Sequence, residues 1–515
     1  PDGDALVAVA ALHPGREEDL LRDAVLVDAR PADGPALPRP LTDAARGSTL
    51  SVETVAPSPD GRTLWLLAGD QGPSRLDFVA AQTGLFSLDL ERARALVDAA
   101  PGDGGAEDDR VADGGAEDGA APPVAPARLT DPETTDLVPG LLVVTDDEVL
   151  VADQRRGAVV LVALPADVDG GGRGAGTDAS ADATAAGERV LVDAPAVVTG
   201  VDTGAHGVVV VSAAGPLSSG DVVAVDRAAG ATTPLTDLSA ELRGTGRVRA
   251  TRELSAVAPD GYPVHGWVAL PDADRFPGPH PTILMIHGGP FAQYTHALFD
   301  EVQVLAEAGY AVVHGNPRGS AGYGRAHGRA IHRGFGTVDT DDVLALLDTA
   351  LADPALRLDG ERVGVMGGSY GGYLTAWLTT RTHRFAAAIV ERGFLDPVSF
   401  TGSSDIGWFF GLEYLGHADT AEAAALLAAQ SPMAHVGDVR TPTLVIHSEQ
   451  DWRCPVEQGQ RWFVELKRRG VHAELLLFPG EGHELTRSGR PKHRIARFEH
   501  VLRWWERHLP VHPER

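Results

Sequence analysis

Cysteine, methionine and lysine are nearly missing from this chain of 515 residues. The single Cys454 excludes an internal disulfide and fits a reducing compartment, so a cytoplasmic setting is expected. Lysine occurs only as Lys467 and Lys492. Arginine therefore carries almost all the positive charge, which reads as composition bias alongside abundant alanine and glycine. Basic residues number 44 against 72 acidic ones, a net charge of −28. A field of that sign repels phosphate backbones and argues against nucleic-acid binding. No run of about 18 apolar residues offers a membrane span, so no membrane partner is expected. The early apolar stretch "ALVAVAAL" lacks a basic flank and is too short to read as a signal peptide. The chain starts at proline, which suggests a fragment or a processed product. Its length suits two or more domains with sizeable cores.

Two patterns divide the chain near residue 247. Residues 1–247 read as short strands between turn residues, and helical periodicity is largely absent. "SVETVAPSPDGRTLWLLAG" is a hairpin around Pro59-Asp60-Gly61, and "LLVVTDDEVLVAD", "AVVLVAL", "GVVVVSA" and "DVVAVD" continue the style. Leu41-Thr42-Asp43, Leu129-Thr130-Asp131, Leu191-Val192-Asp193 and Leu235-Thr236-Asp237 each close such a segment. The last two intervals are 62 and 44 residues, near the roughly 40–50 of a four-stranded propeller blade once an insert is removed from the longer one. About four blades are expected, with a β-sandwich as the other reading. Two inserts, near 101–125 and 168–187, lack the apolar content to fold and are expected to be mobile. Residues 248–515 alternate buried-type strands with helices, which indicates a largely parallel sheet wrapped by helices.

Between "RVGVM" and a helical stretch stands Gly367-Gly368-Ser369-Tyr370-Gly371, a G-x-S-x-G match in strand–turn–helix context. Such a turn presents the Ser369 hydroxyl above the sheet, and the surrounding glycines let strand and helix approach closely. The Tyr370 N–H at the helix start would face a carbonyl oxygen gaining charge. Serine needs a base oriented by an acid, and both belong after later strands. "SEQDWRCPVEQ" offers Asp451, preferred for its place deeper in the loop, or Glu449. "EGHELT" offers His483. His447, His472 and His493 lie on less suitable segments. A second oxyanion donor is expected from "HGGP", the Gly289 N–H being favoured. Trp408, Phe409 and Phe410 cluster between turn signals and either line an apolar pocket or pack in the core. Pro317-Arg318-Gly319 and Tyr323-Gly324 read as a structural loop beneath the site, and Cys454 as packing.

HGGP, "NPRGSAGYG", GGSYGG, "DWRCPVEQ" and "GEGHE", in that order, resemble the prolyl oligopeptidase family of serine peptidases, nearest its acylaminoacyl-peptidase and dipeptidyl-peptidase-like branch. The resemblance covers roughly 252–515. It implies a C-terminal α/β-hydrolase domain capped by an N-terminal β-propeller of seven blades, of which about four are recognisable here, so the propeller is expected to be incomplete. It also implies that Arg453 binds a substrate carbonyl or acyl group. Some branches place an oxyanion-binding tyrosine where His287 stands here.

The function expected is hydrolysis of short peptides near their N-terminus through an acyl-enzyme. A carboxylesterase using the same triad and a non-catalytic propeller binding protein are the alternatives, and homo-oligomerisation is left open. No H-E-x-x-H motif occurs, and "GGGRGAG" lacks the strand and helix of a dinucleotide site. Neither metal nor cofactor is expected.

Overall fold

The computed structural model describes residues 5–29, 37–99, 124–166, 187–204 and 208–511. Nearly all of both inserts, whose mobility the composition suggests, lies outside the described residues. No helix among the described residues is long and apolar enough to cross a membrane.

The N-terminal half is a succession of antiparallel meanders. The first has β1 (Ala5–Ala10), β2 (Asp23–Asp28) and β3 (Arg39–Pro40), and the second has β4 (Leu50–Pro57), β5 (Thr63–Asp70), β6 (Gly84–Asp89) and β7 (Ala127–Arg128). The third has β8 (Leu137–Val144), β9 (Glu148–Arg155), β10 (Ala158–Pro165) and β11 (Arg189–Val192). The fourth has β12 (Val197–Thr203), β13 (Val209–Gly215), β14 (Ser218–Val225) and β15 (Thr232–Pro234). The predicted hairpin joins β4 to β5, with Ser58 N–H donating to Thr63 O at 2.8 Å and Gly61 at φ 74°.

The Leu-Thr-Asp repeat has a structural cause. In three meanders the threonine hydroxyl oxygen accepts an N–H of a neighbouring strand: Thr42 from Ala24 (3.0 Å), Thr130 from Leu85 (3.1 Å), Thr236 from Val222 (2.9 Å). In the remaining one Val192 pairs with Leu161 within the sheet instead. Successive meanders are stitched by equivalent parallel contacts: Val52 N–H to Arg22 O, Leu137 N–H to Thr83 O, and Val159 N–H to Ala196 O. Repeated meanders joined by one repeated contact are the blades of a β-propeller. One departure from the all-strand expectation is the helix Leu90–Ala99 between β6 and β7, which buries Leu90 and Ala93 against the blade.

From β15 the chain passes through a short helix, Ala240–Gly244, into β16 (Thr251–Val257) and β17 (Pro263–Ala269), the hairpin around Asp260-Gly261. The C-terminal half adds β18 (His280–Ile286), β19 (Ala311–Asn316), β20 (Leu358–Gly368), β21 (Ala387–Glu391), β22 (Thr443–Ser448) and β23 (Ala473–Phe478). Their order is β16-β17-β19-β18-β20-β21-β22-β23, parallel from β19 onward. β18, β19, β21 and β22 are buried along their whole length, as strands covered by helices on both faces must be. This is the α/β-hydrolase architecture, and it brings the carboxyl ends of β18, β20, β21, β22 and β23 to one edge.

The halves interlock beside that edge. Val79, from the β5–β6 connection, lies in the core of the C-terminal half, and Asp77 pairs with Arg329 at 2.6 Å. The β9–β10 turn donates Gly157 N–H to Gln293 Oε1 at 2.9 Å. Arg318 is tied to Asp342 and Asp260, a structural role for the loop it occupies.

Candidate active site

Ser369 stands alone between β20 and the helix Tyr370–Arg381, with φ 61° and ψ −121°. A non-glycine residue there is strained, and the strain is held by the surroundings: Ser369 N–H donates to Glu391 O at 3.1 Å. The glycines answer to the close crossing of strand and helix. A Cβ on Gly371 would fall 2.1 Å from the Ile286 carbonyl oxygen, and one on Gly367 2.5 Å from the Gly371 oxygen.

Asp451 follows β22 and His483 follows β23. The carboxylate is 3% exposed and accepts the His483 Nδ1–H at 2.8 Å, as well as the N–H groups of Arg453 (3.0 Å) and Cys454 (2.9 Å). Glu449, the other candidate acid, is exposed. His447 is buried with Nε2 on the Cys454 carbonyl at 2.7 Å, and His493 is held by Glu481. Burial lowers the His447 pKa, which leaves that ring neutral. Ser369 and His483 line one cavity of about 900 Å³. Cys454 lines it too, beside Ser369, and burial pushes its thiol pKa well up, so it is a packing group and not a second nucleophile.

Tyr370 sends its side chain down into the core, where its hydroxyl donates to Asp339 Oδ2 at 2.6 Å. Burial raises the Asp339 pKa to about 6. Only the backbone of Tyr370 is thereby left to the cavity. Among the described residues neither its N–H nor that of Gly289 has an acceptor. His287 cannot substitute for a tyrosine: its ring is fixed between Gly288 O (2.7 Å) and Ser320 Oγ (2.9 Å), and burial lowers its pKa to about 4.

The aromatic cluster splits. Phe409 and Phe410 line the cavity with Phe335, Phe394, Phe400 and Ile406. Trp408 does not line it; it is 39% exposed and packs edge-on against Phe409 at 4.9 Å, because the chain turns into the helix Phe410–Leu415 there and rotates it outward. Its expected place in the pocket is corrected accordingly. Phe78 of the propeller backs this wall, 5.3 Å from Phe409, 5.9 Å from Phe410 and 5.4 Å from Tyr414. Sequence reading missed Phe78, Phe335, Phe394 and Phe400; none sits in a motif, and only the fold brings them together. Arg453 lines the cavity, with Nε and Nη2 on the two oxygens of Asp405 at 2.8 and 3.2 Å. That partner was likewise invisible in the sequence.

Residues 296–512 match the model of the prolyl oligopeptidase family. The uncharacterized peptidase YuxL of Bacillus subtilis (strain 168) is 43% identical over 258 residues, 50% of this chain and 39% of that protein. The acylamino-acid-releasing enzyme of Arabidopsis thaliana is 30% identical over 242 residues, 45% of this chain and 30% of that protein. The chain thus spans less than two fifths of either relative. Among solved structures, the Pyrococcus horikoshii acylaminoacyl peptidase superposes with a TM-score of 0.76 at 22% identity, over 100% of this chain and 71% of that one. A puromycin hydrolase superposes at 0.72 with 22% identity, over 99% and 69%. These likenesses show a shared fold of propeller and hydrolase.

Proposed function

We propose, on the premise that residues 296–512 belong to the prolyl oligopeptidase family, that this chain is a serine peptidase cleaving short peptides near their N-terminus. The observation that carries the reading is Asp451 on His483, with His483 and the strained Ser369 on one cavity wall.

In this reading His483 Nε2 takes the Ser369 proton as Oγ attacks the carbonyl carbon, while Nδ1 stays on Asp451. The oxyanion is received by the N–H groups of Gly289 and Tyr370. His483 then protonates the leaving amine, and water repeats the cycle on the acyl-enzyme. The aromatic wall with Phe409 and Phe410 takes the side chain before the scissile bond. With Nε and Nη2 of Arg453 on Asp405, its Nη1 is the donor for a substrate carbonyl. An acylated amino terminus is the first choice of substrate, supported by relatives named acylamino-acid-releasing enzymes. The Porphyromonas gingivalis relative named dipeptidyl-peptidase 5, 30% identical over 258 residues, supports a free amino terminus as the second. A cytoplasmic setting is part of the proposal and rests on the single cysteine.

The test is hydrolysis of N-acetyl-alanine and alanine p-nitroanilides, with Ser369→Ala as blank. Preference for the acetylated compound supports the first choice. Preference for the free amine moves the reading to an amino- or dipeptidyl-peptidase. Turnover of an ester but of neither amide would replace the peptidase by a carboxylesterase.

A further inference from the structure

Five arginines line the catalytic cavity: Arg392, Arg453, Arg487, Arg494 and Arg497. Four of them hydrogen-bond a carboxylate: Arg453 to Asp405, Arg487 to Glu484, Arg494 to Asp300, and Arg497 to both Glu391 and Glu301. Arg392 does not. It is 9% exposed, and its Nε and Nη1 are buried without a hydrogen-bond partner. Nη1 forms an ion pair with Glu391 Oε1 at 3.2 Å but no hydrogen bond, the hydrogen bonds of that carboxylate going to Arg497.

Its surroundings show why such a side chain stands there. Arg392 follows β21 with φ 37°, a strained conformation for a non-glycine residue, and its N–H is fixed to Ile446 O at 2.8 Å. The guanidinium lies flat against Gly368, the residue before the nucleophile: a Cβ there would meet Cζ at 3.0 Å. From the same group Nη2 donates to Thr486 Oγ1 at 3.2 Å. Thr486 belongs to the short helix Leu485–Ser488 that follows directly on His483 and Glu484. One planar cation thus touches the turn that holds the serine and the segment that holds the histidine.

We propose that Arg392 is a positioning residue for the Ser369–His483 pair, its guanidinium fixing the nucleophile turn against the histidine loop and setting a positive charge behind the point where the oxyanion forms. The inference rests on the hydrolase reading above. A brace alone could be built from a neutral side chain. Arg392 shares the Glu391 carboxylate with Arg497, which takes its hydrogen bonds, so the Arg392 guanidinium keeps N–H groups and positive field free for negative charge that appears during the reaction. The field of Arg392 reaches both sides of the pair. Against burial, which raises the Cys454 thiol pKa beside Ser369, Arg392 pulls it down. It also adds to the lowering of Glu484 next to His483, which is due first to the Arg487 hydrogen bond.

The experiment compares wild type, Arg392→Gln, Arg392→Lys and Thr486→Val on the p-nitroanilide that wild type cleaves best, with kcat and KM resolved. It also measures the second-order rate at which a fluorophosphonate labels Ser369. We expect Arg392→Gln to lower kcat and the labelling rate by about tenfold or more with KM within twofold, and Arg392→Lys to recover most of the loss. Thr486→Val, which removes only the hydroxyl, is expected to lower both rates by a few-fold; if Arg392→Gln does not fold, Thr486→Val and Arg392→Lys decide. Wild-type rates in Arg392→Gln, a loss confined to KM, or equal damage by lysine and glutamine would each overturn the proposal. A wild type that neither turns over nor labels would overturn the hydrolase reading and this inference with it.

Discussion

Asp451 faces the His483 ring with both carboxylate oxygens, Oδ1 at 3.0 Å and Oδ2 at 2.8 Å from Nδ1. The same Oδ1 also gathers the N–H groups of Arg453 and Cys454. One buried carboxylate therefore fixes the imidazole and shapes the loop that carries Arg453 to the cavity. The neutral His447 packs behind it, with Nε2 3.7 Å from Oδ2.

Asp451→Asn separates these two tasks. An asparagine oxygen can still accept the two backbone N–H groups, so the fold should survive with a melting temperature close to that of wild type. With its oxygen on those N–H groups, the amide turns its NH2 to Nδ1, which must then accept and leave the ring proton on Nε2, so kcat should fall by about 10⁴ with a much smaller change in KM. Steady-state kinetics beside a thermal melt checks both halves. A loss of less than tenfold would remove Asp451 from the role of acid.

Gly371 touches no substrate, yet Gly371→Ala should be among the most damaging small changes in the chain. The new methyl would stand 2.1 Å from Ile286 O and 2.8 Å from His287 O, both backbone atoms that cannot swing aside. Overpacking of this kind costs about 1–3 kcal/mol or more. The displaced segment leads directly to Gly289, so kcat should fall at least tenfold even where the variant is folded. Gly360→Ala, placed in open space, is the control and should leave both the unfolding midpoint and kcat unchanged.

What the sequence makes legible follows from the range of the forces involved. The elbow around Ser369 is local, since strand, turn and helix are contiguous and crowded glycines are their direct trace. The Leu-Thr-Asp repeat is legible because each threonine satisfies a backbone N–H at the same point of its meander. The helix Leu90–Ala99 was hidden within a β-patterned region, its two buried residues Leu90 and Ala93 too few to outweigh the surrounding strand signals. Asp405 on Arg453 and Phe78 on Phe409 were invisible for a different reason: each joins segments that only the folded chain brings together. Arg392 lies outside every motif, and its meaning comes from Gly368 and Thr486, which only the folded chain brings against it.

Trp408 and Phe409 are neighbours in sequence with opposite expected consequences. Phe409 is on the cavity wall and braced by Phe78, whereas Trp408 packs on its outer side. Phe409 is only partly buried, so Phe409→Ala should cost less stability than the roughly 3–5 kcal/mol of a fully buried aromatic, its main cost falling on activity. The diagnostic quantity is a ratio: kcat/KM for a phenylalanyl over an alanyl substrate should fall at least tenfold in Phe409→Ala and less than threefold in Trp408→Ala. Equal ratios in the two variants would move the pocket elsewhere.

The propeller carries its own pH dependence. Asp136 and Asp153 are buried together, with Asp136 N–H on Asp153 Oδ1 at 3.0 Å and Gln154 Nε2 on Asp136 Oδ2 at 2.9 Å. Burial, followed by repulsion from Asp153, raises the Asp136 pKa to about 7; burial raises that of Asp153 to about 6 against the pull of Arg155. Both groups hold a proton more tightly folded than unfolded, where a carboxyl titrates near 3.9. Their contribution to stability is therefore complete below about pH 4 and is lost as pH rises through 6 to 7. Asp136→Asn cannot ionise, so its unfolding free energy should change less than that of wild type between pH 5 and 7.5, by on the order of 2 kcal/mol. Urea unfolding of both proteins at the two pH values measures the difference. A variant whose stability falls by as much as that of wild type over that interval would show that Asp136 is ionised in the folded protein at both pH values.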